Sequence, residues 1–319
     1  MTGPRHILLI KIFFAPHSFG GATVVAEAVA RELVRNHDRR VTVISAMHRT
    51  DLVDYAVMKT ETDGIVNYLI NLPRNRSYVE IYDNPAVTET VSDLLAKLQP
   101  DLVQVNCIQD LGAGLMAAVK AHNLPLVLSV HDFWWLCERQ FMIRPDRSYC
   151  SQDPIRIDAC EGCVEDIARA RTRHAALHDA AAQADLITFP SSFAKGLSER
   201  SGLTAKRLEV WENGVRGPDR GFFEAQTARR AADPRLVFGY VGGPSQIKGW
   251  PLILQAFSTL NRGDFAGILV EGSLDGRWWR SKVPPGLKGE WRLHPRYTQD
   301  TMDGFYAQID VLLLSLIHI

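Results

Sequence analysis

Short runs of strongly apolar residues alternate with helical segments along the chain, and this alternation constrains the fold more than any other feature. The first run, HILLIKIFF (6–14), is followed by a Gly-Gly turn and then by apolar side chains three and four residues apart, as in a helix. Unbroken apolar strands joined by helices predict a parallel sheet covered by helices on both faces. Five more strands are predicted at 39–46, 101–106, 124–132, 184–191 and 207–214, with helices between most of them, for example at 90–99 and 112–122.

A charged segment containing Gly and Pro separates this series from a second one. Residues 216–234 have no strand pattern and are predicted as a linker, which gives a first domain over 1–215 and a second over 235–319. The fold class predicted is α/β, with two doubly wound Rossmann-like domains. In the second domain, strands are predicted at 236–242, 267–272, 289–294 and 310–315, and helices at 249–261 and 299–308.

Composition excludes several classes of protein. The 319 residues are 46% hydrophobic and 23% charged, which suits one long folded domain or two ordinary ones. Lys plus Arg and Asp plus Glu number 36 each, so no overall basic field exists to hold nucleic acid or an anionic membrane. The apolar N-terminal run contains Lys11 and lacks both a cleavage site and the length of a membrane span, so a cytoplasmic protein is expected.

Polar and aromatic residues follow the fourth predicted strand abruptly. LPLVLS (124–129) has the composition of a buried strand, whereas VHDFWW (130–135) brings a histidine, an aspartate and three aromatic side chains. Because open α/β sheets bind ligands beyond the carboxyl ends of their strands, His131 is the first candidate site residue.

Motifs in both predicted domains narrow the function. Neither first strand is followed by G-x-G-x-x-G with an acidic residue ending the next strand, which disfavours a dinucleotide-dependent dehydrogenase and leaves a binding protein or a transferase. The ordered segments FGGATVVAEAVARELVRNHDRRVTVIS, SVHDFWW, ADLITFPSSFAKGLSE, EVWENGV, FGYVGGPSQIKGW and DVLLL resemble the family 4 retaining glycosyltransferases. This resemblance runs from residue 6 to about residue 314 and implies a GT-B-like fold.

The resemblance implies a nucleotide-sugar donor near two loops. In the family, the loop with Gly20 and Gly21 faces the donor phosphates or sugar, and a lysine in the position of Lys248 holds the diphosphate. Many relatives carry an arginine shortly before that lysine, but here the loop reads GGPSQ. Ser245 with loop amides, or Arg296 from elsewhere, would take its place. The alternatives are an ordinary turn for the glycines and a solvated side chain for the lysine.

The same resemblance assigns roles around the fourth strand. A histidine at the comparable strand end lies beside the donor sugar in the family, which makes His131 the catalytic candidate. The alternative is a histidine that only fixes its loop. Asp132 is expected to orient the loop and not to act as a base. Trp134 and Trp135 are candidates for stacking on an acceptor sugar, with a place in the core as the alternative.

The implied reaction is sugar transfer with retention of anomeric configuration and without a catalytic metal ion. Its transition state carries positive charge on the sugar and negative charge on the departing phosphates, and a site must stabilise both. The expected acceptor is a glycan or a lipid-linked acceptor of cell-envelope polysaccharide synthesis, with peripheral contact to the inner membrane face and no nucleic acid partner. A nucleotide-sugar epimerase of the same architecture is the alternative enzyme.

Four of the five cysteines cluster with the spacing C-x12-C-x9-C-x2-C. In a reducing compartment this clustering favours a metal over disulfides, and a structural zinc ion would order the polar loop that contains them. Only one C-x-x-C pair is present, so four unrelated thiols are the alternative. The cysteines are Cys137, Cys150, Cys160 and Cys163.

The second domain is expected to be incomplete. After DVLLL the family continues with further strands, an acidic pair that binds the nucleotide ribose and donor sugar, and a closing helix, whereas here only SLIHI follows. This ending predicts a truncated reading frame with a partly unfolded second domain. A non-catalytic fragment that binds only the acceptor is the corresponding alternative function.

Overall fold

A computed structural model describes most of the chain, which forms two compact units, Met1–Gly214 and Val215–Ile319. No helix among the described residues combines the length and the hydropathy that a membrane span requires. The final residues 315–319, on which the prediction of a truncated frame rests, lie outside the described residues. The described residues are 3–214, 217–218, 220–243, 248–271, 283, 285–298 and 300–314.

The first unit is built on an eight-stranded sheet. Its strands are β1 (His6–Ile10), β2 (Arg40–Met47), β3 (Val57–Thr62), β4 (Ile65–Asn71), β5 (Leu102–Val105), β6 (Leu126–Ser129), β7 (Leu186–Phe189) and β8 (Leu208–Val210). They lie in the order β3-β4-β2-β1-β5-β6-β7-β8. All neighbours are parallel except β3 and β4, which form an antiparallel hairpin at one edge. All six predicted strands are present: β2 keeps its predicted length, shifted by one residue, and the other five are shorter than predicted. The hairpin was not predicted.

Helices cover both faces of this sheet, as predicted. Alternate residues of β1 point to opposite faces: Leu8 and Ile10 join one hydrophobic cluster, whereas Ile7 and Leu9 join another. The first cluster includes Val91, and the second includes Ala30. The helices are α1 (Gly21–His37), α2 (Pro85–Leu98), α3 (Leu115–Ala121), α4 (Ile167–Ala181) and α5 (Ser192–Arg200), with a 3-10 helix at Ile157–Cys160.

The strand order reverses direction beside β1. The chain passes from β1 to β2 on one side and later returns to β5 on the other side. Helices that follow β1 and β5 therefore leave the sheet on opposite sides, and a crevice opens beyond the carboxyl ends of these two strands. The loops after β1, β5 and β6 meet at this edge.

The second unit contains a four-stranded parallel sheet. Its strands are β9 (Val237–Tyr240), β10 (Ala266–Val270), β11 (Glu290–His294) and β12 (Val311–Leu313), in the order β11-β10-β9-β12. Its helices are α6 (Arg220–Ala232), α7 (Trp250–Thr259) and α8 (Met302–Tyr306).

Helix α6 lies inside the segment that was predicted as a linker. Arg229 and Arg230 of this helix both pair with Asp310, which ties the helix to the second unit. The other oxygen of Asp310 accepts a hydrogen bond from the Val237 backbone amide at 2.9 Å.

Candidate functional site

An open cavity lies at the carboxyl edge of the first sheet. Its walls come from helix α1 and from the ends of β5, β6, β7 and β8, so it occupies the place where open α/β sheets bind ligands. Seven polar side chains line it: Gln104, Asn106, Ser129, His131, Thr188, Glu212 and Asn213.

The Gly20–Gly21 loop leads from β1 into α1. Gly20 has φ 81° and ψ 159°, a region that residues with a side chain avoid, and its carbonyl accepts a hydrogen bond from the Thr23 amide at 3.1 Å. Apart from the adjoining chain, no atom of the described residues lies within 4 Å of the position that a Cβ would take at either glycine. The backbone conformation therefore requires glycine at position 20, and the space beside both residues is open to a ligand.

A buried lysine is hydrogen-bonded to the backbone beside this loop. Lys11 has no solvent exposure, and its Nζ donates a hydrogen bond to the Ala22 carbonyl at 3.0 Å. Burial lowers its pKa to about 8. In the sequence, Lys11 is visible only as an interruption of an apolar run. A charged residue inside a strand-like segment was the signal that could have identified it.

His131 forms a pair with Asn106, which the sequence analysis did not identify. The Nε2 atom of His131 lies 3.1 Å from the Oδ1 atom of Asn106. Because an amide oxygen only accepts, Nε2 carries the proton in this pair and Nδ1 keeps a lone pair. Burial, aided by the charge of Lys11, lowers the pKa of His131 to about 4, so the ring is neutral at pH 7.

The amide of Asn106 has unused hydrogen-bonding capacity. Its side chain is only 2% exposed, and its Nδ2 atom has no hydrogen-bond partner within the described part of the chain. An unpaired buried donor costs about 1–3 kcal/mol, so a polar group at a cavity wall calls for an explanation. Asn106 follows β5 directly, and His131 follows β6 after one residue. A polar residue just after an apolar strand was therefore a signal that could have identified Asn106 as well.

The low pKa of His131 predicts a pH-dependent loss of stability. Its ordinary pKa of 6.5 applies to the unfolded chain and about 4 to the folded one, so the unfolded state binds more protons between these values. Stability is therefore present above pH 6.5 and lost as the pH falls toward 4. We expect the free energy of urea unfolding to fall less between pH 7 and pH 4.5 in His131→Gln than in the wild type; equal losses would contradict this pKa assignment.

Asp132 orients the loop that carries His131. Its carboxylate accepts hydrogen bonds from the Trp134 amide at 2.8 Å and from Gln140 Nε2 at 2.6 Å. Burial raises the pKa of this carboxyl, against the effect of these donors. Its hydrogen bonds are thus used to fold the loop back on itself.

Trp134 and Trp135 belong to the core, which corrects their assignment as acceptor-binding residues. They are 4% and 3% exposed, and their rings pack edge to face against each other. The guanidinium of Arg173 covers the Trp134 ring at 4.9 Å and donates to the Trp134 carbonyl at 2.7 Å. Neither indole is therefore accessible to a sugar. Two other aromatic side chains line the cavity: Phe189, which is buried, and Trp211, which is 51% exposed.

In the second unit, Lys248 lies in the loop between β9 and α7. The Tyr240 hydroxyl lies 3.0 Å from the Lys248 carbonyl, and a Cβ added to Gly242 would lie 2.9 Å from Lys248 Cβ. These contacts fix the backbone of Lys248 at the carboxyl edge of this sheet. Arg296 follows β11, at the same edge but two strands from β9. Ser245 lies outside the described residues, so its assignment stays a prediction.

The four clustered cysteines come together around a second, smaller cavity in the first unit. All four are free thiols; Cys160 is buried, and the other three are half-buried. Among the described residues, no group of three or more His, Cys, Asp or Glu side chains has the arrangement of a metal centre.

Comparison with known proteins identifies the family. Residues 19–216 match the family model described as Glycosyltransferase Family 4, which is more than half of the chain. No curated protein matches the sequence. The resemblance predicted from the motifs is confirmed by this match.

Solved structures with the same fold are distant in sequence. Sucrose-phosphate synthase from Thermosynechococcus elongatus superposes with a TM-score of 0.61 at 13% identity, over 97% of this chain and 74% of that one. The E. coli trehalose-6-phosphate protein bound with UDP-2-fluoro glucose gives 0.57 at 12% identity, over 97% and 78%. The trehalose-phosphate synthase of Burkholderia xenovorans in complex with glucose-6-phosphate gives 0.56 at 13% identity, over 96% and 78%.

These structural likenesses confirm the predicted GT-B architecture and, at such low identity, speak for the fold alone. The family match covers the loop with Gly20 and Gly21, the His131–Asn106 pair and the ends of β7 and β8. The polar cavity at the carboxyl edge of the first sheet therefore lies within the matched region. The chain belongs to glycosyltransferase family 4.

Proposed function

We propose that this glycosyltransferase moves a sugar from a nucleotide-sugar donor to an acceptor hydroxyl, with retention of anomeric configuration and without a catalytic divalent metal. The observation that carries the proposal is the His131–Asn106 pair in the wall of the first-unit cavity. The pair joins a neutral imidazole to an amide with an unpaired N–H, and both groups suit a polyhydroxylated ligand.

Lys248 is the residue that we assign to the donor diphosphate. An ammonium group beside a phosphate forms a charge-assisted hydrogen bond, which contributes about 1.5–3 kcal/mol. Its fixed backbone favours this role, because less conformational freedom is then lost on binding. A UDP-sugar analogue bound to the E. coli neighbour supports a nucleoside diphosphate as the donor class.

His131 is assigned to the reacting sugar. A neutral ring is compatible with the positive charge that develops on the sugar, whereas an imidazolium would repel it. Because Nε2 donates its hydrogen to Asn106, Nδ1 is the ring atom that would accept a hydrogen bond from a sugar hydroxyl. On this proposal the departing phosphate takes the proton of the acceptor hydroxyl on the same face of the sugar, so no protein carboxylate is needed as a base.

The cavity lining favours a neutral glycan as the acceptor. None of the residues described as lining it is a lysine or arginine, and its charged member is the acidic Glu212. Among the described lining residues a phosphorylated sugar would meet no cationic side chain, while the exposed ring of Trp211 offers a face for stacking on a sugar. We therefore propose a glycan or a lipid-linked acceptor of cell-envelope polysaccharide synthesis, used at the cytoplasmic face of the inner membrane.

The test is a donor and acceptor screen with the purified chain. Release of nucleoside diphosphate would be measured with UDP-, GDP-, ADP- and TDP-sugars, with and without glycan acceptors, and NMR would give the anomeric configuration of the product. Transfer with retention, unchanged in chelator, is expected. An inverted product, or activity that only Mg²⁺ or Mn²⁺ restores, would contradict the mechanism; conversion of the donor to its epimer would identify an epimerase instead.

A further inference from the structure

We propose that Cys137, Cys150, Cys160 and Cys163 together bind one structural zinc ion through four thiolates. They lie in a loop region between β6 and α4, and all four line one cavity that is separate from the sugar-site cavity. Four thiolates are the ligand set of closed, tetrahedral structural zinc sites.

The backbone brings these cysteines together by short turns. Cys160 ends the 3-10 helix, and the Cys163 amide donates to the Cys160 carbonyl at 2.9 Å, which closes a tight C-x-x-C turn. Cys150 leaves a small hairpin: its amide donates to the Met142 carbonyl at 2.8 Å, next to an antiparallel bridge between Ile143 and Tyr149. Turns of this kind present thiols to a common point, as zinc sites require.

Cys137 supplies the remaining thiol from the loop that carries His131. Its amide donates to the Phe133 carbonyl at 2.7 Å, and its own carbonyl accepts from the Gln140 amide at 2.9 Å. The Asp132 carboxylate binds the Gln140 side chain in the same turn. An ion held by Cys137 would therefore connect the histidine loop to the hairpin and to the C-x-x-C turn.

The surroundings of the cluster suit a metal–thiolate centre. The apolar side chains of Met142, Ile155 and Val164 share the cavity wall, which limits access of water. A zinc ion with four thiolates carries two net negative charges, and the guanidinium groups of Arg139 and Arg144 are near enough to Cys163 to act on its charge. These two arginines would offset part of the excess charge, and the carboxylate of Asp146 acts against them.

The loop has little regular secondary structure of its own. Between β6 and α4 the described secondary structure consists of the 3-10 helix and the single bridge. Loops longer than about 12–15 residues without their own secondary structure are uncommon in compact domains. Because the thiols do not have the arrangement of a metal centre as described, binding requires their side chains to rotate between staggered conformations.

The first experiment measures metal in the full chain, purified without a metal-affinity tag. Elemental analysis should find about one zinc per chain in the wild type and less than about a tenth in Cys160→Ser and Cys163→Ser. Cys107→Ser is the matched control, because Cys107 lies outside the cluster and should leave the zinc content unchanged. Zinc below a tenth of an equivalent in the wild type would overturn the proposal, as would iron in its place.

The second experiment uses only the wild-type chain, so it does not depend on whether the variants fold. A mercurial reagent should release zinc, followed with a metal-binding dye, in proportion to the modification of four thiols. Replacement of the ion by Co²⁺ should give an intense thiolate-to-metal absorption band, as expected for sulfur ligands. Release of zinc after modification of fewer than two thiols, or disulfides among these cysteines by mass spectrometry, would refute a four-thiolate site.

Discussion

Replacing Lys248 by alanine should lower kcat/KM for sugar transfer about a hundredfold, the largest effect expected of a single substitution here. The charge-assisted contact assigned to its ammonium group contributes about 1.5–3 kcal/mol, and each 1.4 kcal/mol corresponds to a tenfold change in rate. The loop should survive the substitution, because the Tyr240 hydroxyl binds the backbone carbonyl of Lys248 and not its side chain. Steady-state kinetics with the donor found in the screen would measure it.

Two variants test whether the charge is responsible. Lys248→Arg keeps the charge and should recover part of the activity. Lys288→Ala is the matched control, because Lys288 is also in the second unit but precedes β11 at the amino edge of the sheet, away from the proposed donor site. Full activity of Lys248→Ala would mean that the lysine does not hold the phosphates.

Replacing His131 by alanine should lower kcat at least about tenfold while leaving donor affinity nearly unchanged. The proposed contact is with the reacting sugar, so its loss acts on the transition state more than on nucleotide binding. Loss of the ring also leaves Asn106 Oδ1 without its partner in a buried position, which costs about 1–3 kcal/mol. Donor binding by calorimetry and turnover at saturating donor would separate the two effects.

His122→Ala serves as the comparison for this substitution. His122 is a half-buried histidine of the same unit that precedes β6, so it lies at the opposite edge of the sheet from the cavity. His131→Gln, which can still donate to Asn106, should lose less activity than His131→Ala. If nucleotide affinity and turnover fell by the same factor, His131 would not act on the reacting sugar.

The order of strands and helices could be predicted because burial on both faces leaves long apolar runs in the sequence. The ends of the strands could not. The first strand was predicted to extend through 6–14, whereas β1 ends at Ile10. The prediction was too long because Ile12 and Phe14 are buried in the loop that follows, so the apolar pattern continues past the strand. In the edge hairpin, β3 escaped prediction for the opposite reason: it is mostly exposed, so its sequence carries no apolar run. Its partner β4 is mostly buried, and its apolar residues Ile65, Leu69 and Ile70 could have predicted it.

The site could be predicted only where a single residue carried the signal. His131 stands out because it interrupts an apolar sequence, and Lys11 does the same inside the first strand. The burial of Trp134 depends on Arg173, far along the chain, and no local pattern predicts such a contact. The pair of His131 with Asn106 likewise requires β5 and β6 to be neighbours in the sheet, which follows from topology and not from spacing.

Three polar side chains on neighbouring strands, Gln104, Ser129 and Thr188, line the cavity and limit which groups can bind there. Ser129 Oγ accepts hydrogen bonds from Gln104 Nε2 at 2.8 Å and from Thr188 Oγ1 at 2.9 Å, on the two strands beside it. A hydroxyl oxygen has two lone pairs, and both are thereby used. Toward any further group Ser129 can therefore act only as a hydrogen-bond donor. It can bind an ether or hydroxyl oxygen of a ligand, but it cannot accept a hydrogen bond from an ammonium group. Amino sugars should therefore be poorer ligands than their hydroxyl counterparts wherever the substituted carbon faces this serine.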